Sequence, residues 1–209
     1  MSRIVVVGGG GHAKVVISVL RRLPWDIAGY TDSRDRGVVL GVPHVGDDSA
    51  LPGLLAANPQ LEAIIGIGKI DTSRARLTLQ DELTAAGLGF PAIVSPRAVV
   101  NEEVTLGPGT VVLDGAVVNS GTVTGRGCIF NTNSTVDHDC RIGHNVHVAP
   151  GATVSGGIAV GDDCMIGAGA TLIHGVTICP GVLVGAGATV AEDINTPGTY
   201  VGVPARRKP

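Results

Sequence analysis

From Val94 to Val190 an apolar residue returns every six positions (Val94, Val100, Leu106, Val112 and onward), with Thr124 the one exception among 17. Neither the 3.6-residue period of a helix nor the two-residue period of a strand produces this spacing. If that residue is position i, position i+4 is small or apolar as well (Ala98, Cys128, Cys140). Positions i+4, i+5 and the next i then read in, out, in, which predicts a three-residue strand. Position i+3 is Gly, Asn or Asp in every hexad but two, at Arg97 and Glu103; these residue types tolerate positive φ in a tight turn. Three strand residues and three turn residues form one side of a coil. With three sides per coil, the stretch winds into five to six triangular coils of a parallel β-helix, each stable only on its neighbours.

Composition agrees with a narrow, glycine-cornered core: the 209 residues include 32 Gly and only five aromatics, Trp25, Tyr30, Phe90, Phe130 and Tyr200. A net charge of −3 gives no general attraction to nucleic acid or to an anionic membrane. The longest opening apolar run is Ile4–Val7, too short for a signal peptide or a membrane span, so a cytoplasmic location is expected. Cys128, Cys140 and Cys164 fall at the inward i+4 position and Cys179 at a turn; all four are read as reduced and structural.

Before the repeat, residues 3–7 form an apolar strand that runs into Gly8-Gly9-Gly10-Gly11-His12-Ala13 and a helix to about Arg22. Gly8, Gly10 and Ala13 fit G-x-G-x-x-A, a turn that lets a phosphate approach the backbone at a helix N-terminus. Asp32 follows a second strand, where it could meet a ribose or base; the alternative is a turn that only packs helix on strand, with Asp32 a loop residue. A helix over 48–57, a third strand over 61–67 ending at Gly68-Lys69, and a helix capped by Asp71 complete this region. In a parallel sheet Gly68 and Lys69 lie beside the glycine turn, where α/β sheets bind ligands. The region is too short for a full dinucleotide fold and reads as one mononucleotide-binding, Rossmann-like half. The expected division is an α/β domain over 1–90, an all-β helix over 91–195 and a tail over 196–209 whose last four residues carry Arg206, Arg207 and Lys208.

Because the period never slips, an active site must come from corners, faces and neighbouring subunits. His138, His144 and His174 fall at corners (i+2), and His147 points out from a strand. His44, His144 and His174 are read as solvated surface residues. His138 precedes Asp139, which could orient the imidazole as a general base or serve only as the turn residue at i+3. The corner 137–139 lies opposite the face 146–148, roughly 16 Å away for a side of about five residues, so a site using both His138 and His147 lies between subunits. Asn131 belongs with His147, one coil below. Gly156, 18 residues after His138, stacks over it and offers an accessible N–H as an oxyanion donor. His138 and His174 share an edge but are two coils, about 9.6 Å, apart, too far to bind one zinc ion within a chain.

The opening V-V-G-G-G-G-H-A, the segment N-T-N-S-T-V-D-H-D-C-R-I-G-H-N-V-H-V-A-P-G-A (Asn131–Ala152) and the ending Y-V-G-V-P-A-R-R resemble the family of sialic-acid O-acetyltransferases and nucleotide-4-amino-sugar N-acetyltransferases, which includes bacillosamine- and perosamine-type enzymes. The resemblance covers the whole chain. It implies a left-handed β-helix, against the hand expected of parallel crossovers. It further implies a homotrimer with acetyl-CoA between adjacent β-helices and the sugar nucleotide on the N-terminal domain; no metal is expected. By position, His138 is the implied general base and Asp139 its orienting acid. Asn131 and His147 of the adjoining chain contact acetyl or acceptor groups, with the Gly156 amide at the oxyanion. Ala168 and Ala186 line the CoA channel, with Arg206 and Arg207 near CoA phosphate. Gly9, Gly10, Gly11, His12, Asp32, Gly68 and Lys69 match sugar-nucleotide positions. A single acid at Asp32 and Lys69 in place of Asn set the chain apart from the bacillosamine enzyme and leave the base, uridine or guanosine, open. The expected reaction is acetylation of a C4 amine; the alternatives are O-acetylation of a sugar hydroxyl, a zinc enzyme, or a non-catalytic sensing trimer.

Overall fold

The computed structural model describes residues 2–209. Strand β1 (Ser2–Val7), helix α1 (Gly11–Leu20), β2 (Trp25–Thr31), α2 (Leu51–Ala57), β3 (Glu62–Ile65) and α3 (Ala75–Ala85) form the α/β region. Its sheet has the order β2-β1-β3 and is parallel throughout, with Val5 beside both Gly29 and Ala63. Alternate residues of β1 serve opposite faces: Val5 and Val7 pack with Leu51, Ala63 and Ile65 under α2 and α3, while Ile4 and Val6 pack with Val16, Ile17 and Leu20 of α1. Asp71 does not cap α3; its Oδ1 accepts Ser73 N, and the helix begins only after Arg74, without a side-chain cap.

From Ile93 the chain coils with a ladder spacing of three hexads: Thr135 pairs with Thr153, Arg141 with Ala159 and His147 with Met165. The three faces are sheets of six, four and eight strands, parallel throughout except for the last strand of the eight. Strands are shorter than the sequence suggests: pairing covers i+5 and i, two residues each, except Val182–Val184, because the i+4 residue is still leaving the corner before it. All positions at i+3 from Glu103 to Gly187 have positive φ, and Glu103 (φ 62) takes it despite its Cβ. Cys128, Cys140 and Cys164 are unpaired and buried in the core. Burial pushes the Cys128 and Cys164 thiols up, to about 12 and 11.

The α/β region sits on the eight-stranded face, where Ile93, Val111 and Ile129 point outward into the α1 cluster. Arg76 reinforces the joint by donating to Gly127 O at 2.8 Å. Residues 196–209 are not a free tail: Gly198–Val201 adds a parallel strand beyond Val182–Val184, and Arg206–Arg207 returns antiparallel beside it. No helix among the described residues is long and apolar enough to cross a membrane.

Candidate active site

At the corner between strands Thr135–Val136 and Arg141–Ile142, His138 Nδ1 lies 2.8 Å from Asp139 Oδ2. Asp139 also holds the left-handed turn (φ 58) and donates its N–H to Ser120 O, so one residue serves both the turn and the imidazole. The ring is exposed; the bond from Asp139, and next the Asp137 charge, raise its basicity above the ordinary imidazole value. With Nδ1–H engaged, Nε2 is the free basic atom.

Gly156 lies directly over it: a Cβ there would sit 2.6 Å from His138 Nε2. At two comparable corners the amide is occupied, Arg126 N by His144 Nδ1 and His144 N by Asp162 Oδ1. The Gly156 amide has no partner among the described residues. A base and a free N–H therefore stand side by side, able to deprotonate a nucleophile and to stabilise an oxyanion. Below them runs a ladder the sequence reading missed: Asn101 donates to Asn119 (2.7 Å), Asn119 to Asp137 (2.9 Å), and Asp137 Oδ1 accepts His138 N. The 18-residue spacing of these polar i+1 positions was its signal.

In the α/β region the glycine run divides into two kinds. A Cβ at Gly8 (φ +103) or Gly9 would collide with Ile67 or Tyr30, whereas Gly10 and Gly11, at the start of α1, meet nothing within 4 Å. Packing requires the first two, and the last two leave backbone open to a ligand. They line a cleft of about 390 Å³ with Gly9, Lys14 and Arg36. Asp32 borders a second cleft of about 490 Å³, but its carboxylate is committed: Oδ1 accepts Arg34 N, and Oδ2 accepts Gly9 N and Arg36 Nε. These bonds, Arg34's first, hold its carboxyl down at about 2.

Three expectations need correction. The Lys69 side chain is buried, 4% exposed, and its Nζ donates to Ser73 O at 2.8 Å; the segment before α3 folds back over the ammonium, whose pKa is lowered chiefly by that burial. Only the Gly68-Lys69 backbone remains for a ligand. His147 does not point into solvent: it is 6% exposed, because its face carries the α/β region. Its Nδ1–H donates to Lys69 O at 2.7 Å and its Nε2 accepts from Asn131 Nδ2 at 3.0 Å. Burial pushes its pKa down to about 4, and that of His12 to about 3 with help from Arg76; His12 Nε2 is buried without a partner. Finally, His44 and His144 are not simply solvated, since His44 Nε2 bonds Asp32 O and His144 takes the Arg126 amide.

Ala168 and Ala186 lie exposed on another corner edge. Arg206 approaches Glu192 at 3.7 Å, and Arg207 donates to Pro197 O.

Residues 3–80 match the family described as the PglD N-terminal domain, and residues 121–156 and 157–192 match the bacterial transferase hexapeptide (six repeats). Curated protein sequences give no match. Among solved structures, a perosamine N-acetyltransferase mutant from Caulobacter crescentus, in complex with CoA and GDP-perosamine, is 39% identical with a TM-score of 0.94, covering 100% of this chain and 98% of that one. The chain belongs to the nucleotide-sugar N-acetyltransferase family. Two further members are similar: the acetyltransferase domain of PglB from Neisseria gonorrhoeae (34% identity, TM-score 0.90, 100% of both chains) and WeeI from Acinetobacter baumannii (28%, 0.86, 98% of this chain and 99% of that one). The hexapeptide repeats of this family fix the left hand of the β-helix. As a sugar N-acetyltransferase fold, the chain carries its α/β region on one face of the helix and the His138 corner opposite.

Proposed function

We propose that the protein transfers acetyl from acetyl-CoA directly to the C4 amine of a nucleotide-linked deoxy amino sugar, at sites shared between subunits of a cytoplasmic homotrimer. The observation that carries this is the pairing of His138 Nε2 with the unpartnered Gly156 amide. His138 Nε2 removes a proton from the sugar amine as its nitrogen attacks the thioester carbonyl. The tetrahedral oxyanion accepts the Gly156 N–H, and the C–S bond breaks to release CoA thiolate. A covalent enzyme intermediate is disfavoured, because burial raises the Cys128, Cys140 and Cys164 thiols above the ordinary thiol value.

Supporting the acceptor and donor, the Caulobacter relative was solved with CoA and GDP-perosamine. Gly10, Gly11 and the Gly68-Lys69 backbone take the diphosphate side of the acceptor, with Asp32 holding the turn. Ala168 and Ala186 line the CoA path, and Arg206 and Arg207 approach its phosphates. Supporting the shared site, the Lys69 carbonyl is fastened to His147, on the face opposite the His138 corner. A chain's acceptor loop is thus separated from its own His138 by the width of the coil, roughly 16 Å.

The test is CoA release with a panel of UDP- and GDP-linked 4-amino sugars and with sialic acid. N-acetylation of a nucleotide sugar, reduced on the order of 10²- to 10⁴-fold by His138→Ala, is expected. Acetylation of sialic acid alone would replace the amine acceptor by a hydroxyl, and no release from any compound would remove the enzymatic reading.

A further inference from the structure

The segment between β3 and α3 has no regular structure, yet it is held at several points, mostly by the solenoid. His147 Nδ1 donates to Lys69 O at 2.7 Å. Asn145 Nδ2 donates to Ser73 O at 3.0 Å and to Asp163 Oδ1 at 2.9 Å. Arg76 joins the two sides, with Nε on Ile67 O at 2.6 Å and Nη1 shared between Gly127 O and Asn145 Oδ1. The loop's own Lys69 Nζ adds a bond to the Ser73 carbonyl.

We propose that His147 and Asn145 are positioning residues that latch the acceptor-binding loop of their own chain to the β-helix. This rests on the reading that Gly68-Lys69 belongs to the acceptor site. The latch makes the solenoid, the same body that carries the base, set where the loop presents the sugar.

The geometry excludes a simpler role for His147. Asn131 Oδ1 accepts Thr132 N at 2.8 Å, which fixes the amide so that Nδ2 points at His147 Nε2. That nitrogen is the acceptor in this pair, so Nδ1 carries the proton given to Lys69 O. Both nitrogens are spent inside one chain, and the buried ring has no nitrogen left to bond a substrate. Asn145 is fully buried with φ 53. Its turn role would be met by glycine, as at most corners, but glycine could not reach Ser73.

The test exploits side-chain length. In His147→Asn the amide nitrogen can take the place of Nδ1 and keep the bond to Lys69; in His147→Gln the amide reaches the place of Nε2 and loses it. Asn145→Gly keeps the corner's backbone and removes the bond to Ser73 together with those to Asp163 and Arg76, which guards against misfolding of the histidine variants. Readouts are amide hydrogen exchange over residues 67–73, KM for the sugar nucleotide, and KM for acetyl-CoA. Expected are faster loop exchange and a sugar-nucleotide KM raised roughly three- to tenfold in His147→Gln and Asn145→Gly, the ratio that goes with one lost hydrogen bond. The acetyl-CoA KM should stay near the parent's, and His147→Asn should resemble the parent. The reverse order, Gln tolerated and Asn impaired, overturns the latch in favour of a direct Nε2 contact. So does unchanged exchange in Asn145→Gly. Faster exchange with an unchanged KM keeps the latch and removes this loop from the acceptor site, so the two readings fail separately.

Discussion

Gly156→Ala is the smallest change that should separate catalysis from folding. The new Cβ would stand 2.6 Å from His138 Nε2, 2.7 Å from Cε1 and 3.1 Å from Cδ2, where ordinary contact is 3.4–4 Å. The ring must therefore retreat by about 1 Å. It can do so, since the imidazole is exposed and all three colliding atoms belong to it. Gly156 lies outside the positive-φ set, and Ala168 and Ala186 already occupy the equivalent corner position, so the backbone accepts alanine. A displacement of 1 Å in a reacting group costs about 10²-fold in rate, while the stability change should stay within about 0.5 kcal/mol. The neighbouring Gly157→Ala supplies the opposite case. Gly157 has φ +67 and open space for a Cβ, so alanine there should cost about 1 kcal/mol of strain and leave His138 in place. Steady-state kcat/KM and thermal unfolding on both variants are the assay. Full activity in Gly156→Ala, or equal activity losses in the two, would show that His138 does not work from this position over Gly156.

Asp139→Asn should lower the rate about tenfold and move the acid limb of the kcat/KM profile to lower pH, because the acid that raises His138 basicity is neutralised; an unmoved limb removes Asp139 from the mechanism. Folding stability should fall on acidification from pH 7 to 5. His12 and His147 have folded values of about 3 and 4, below the ordinary imidazole value of 6.5, so the unfolded chain takes up protons first. Each group loses up to about 1.4 kcal/mol per pH unit below the unfolded value, and the raised His138 offsets only part. Denaturant midpoints that do not change between these pH values would contradict the burial of both rings. Glu103→Gly should stabilise by about 0.5–1 kcal/mol, since glycine accepts φ 62 without the Cβ penalty; a lower denaturant midpoint would count against it.

The solenoid was legible because its core repeats: an inward residue every six positions leaves little else to fold into, and the stacking of Gly156 on His138 followed by counting alone. The fate of His147 was not, because an outward position in a coil says nothing about what covers it. Ile93, Val111 and Ile129 occupy the same outward position on the same face, and three apolar residues in that column were the available sign of a buried face. Arg76 and Asn145 were hidden for different reasons. Asn145 has the residue type every corner wants, and Arg76 sits on a helix among ordinary surface residues, so only tertiary packing shows either at work. Asp71 lost the capping role to its own short-range bond with Ser73, a competition that local sequence leaves undecided.

The antiparallel return of Arg206–Arg207 beside Gly198–Val201 has a consequence for solubility. A stack of parallel strands ends in a row of unpaired amides and carbonyls that would template another chain, end to end, as a growing fibre does. Here the last parallel strand meets one running the other way, edged with two arginines. A second molecule cannot continue the parallel register across that strand, and the charges repel a copy of themselves. On this one face the hairpin closes the end of the stack.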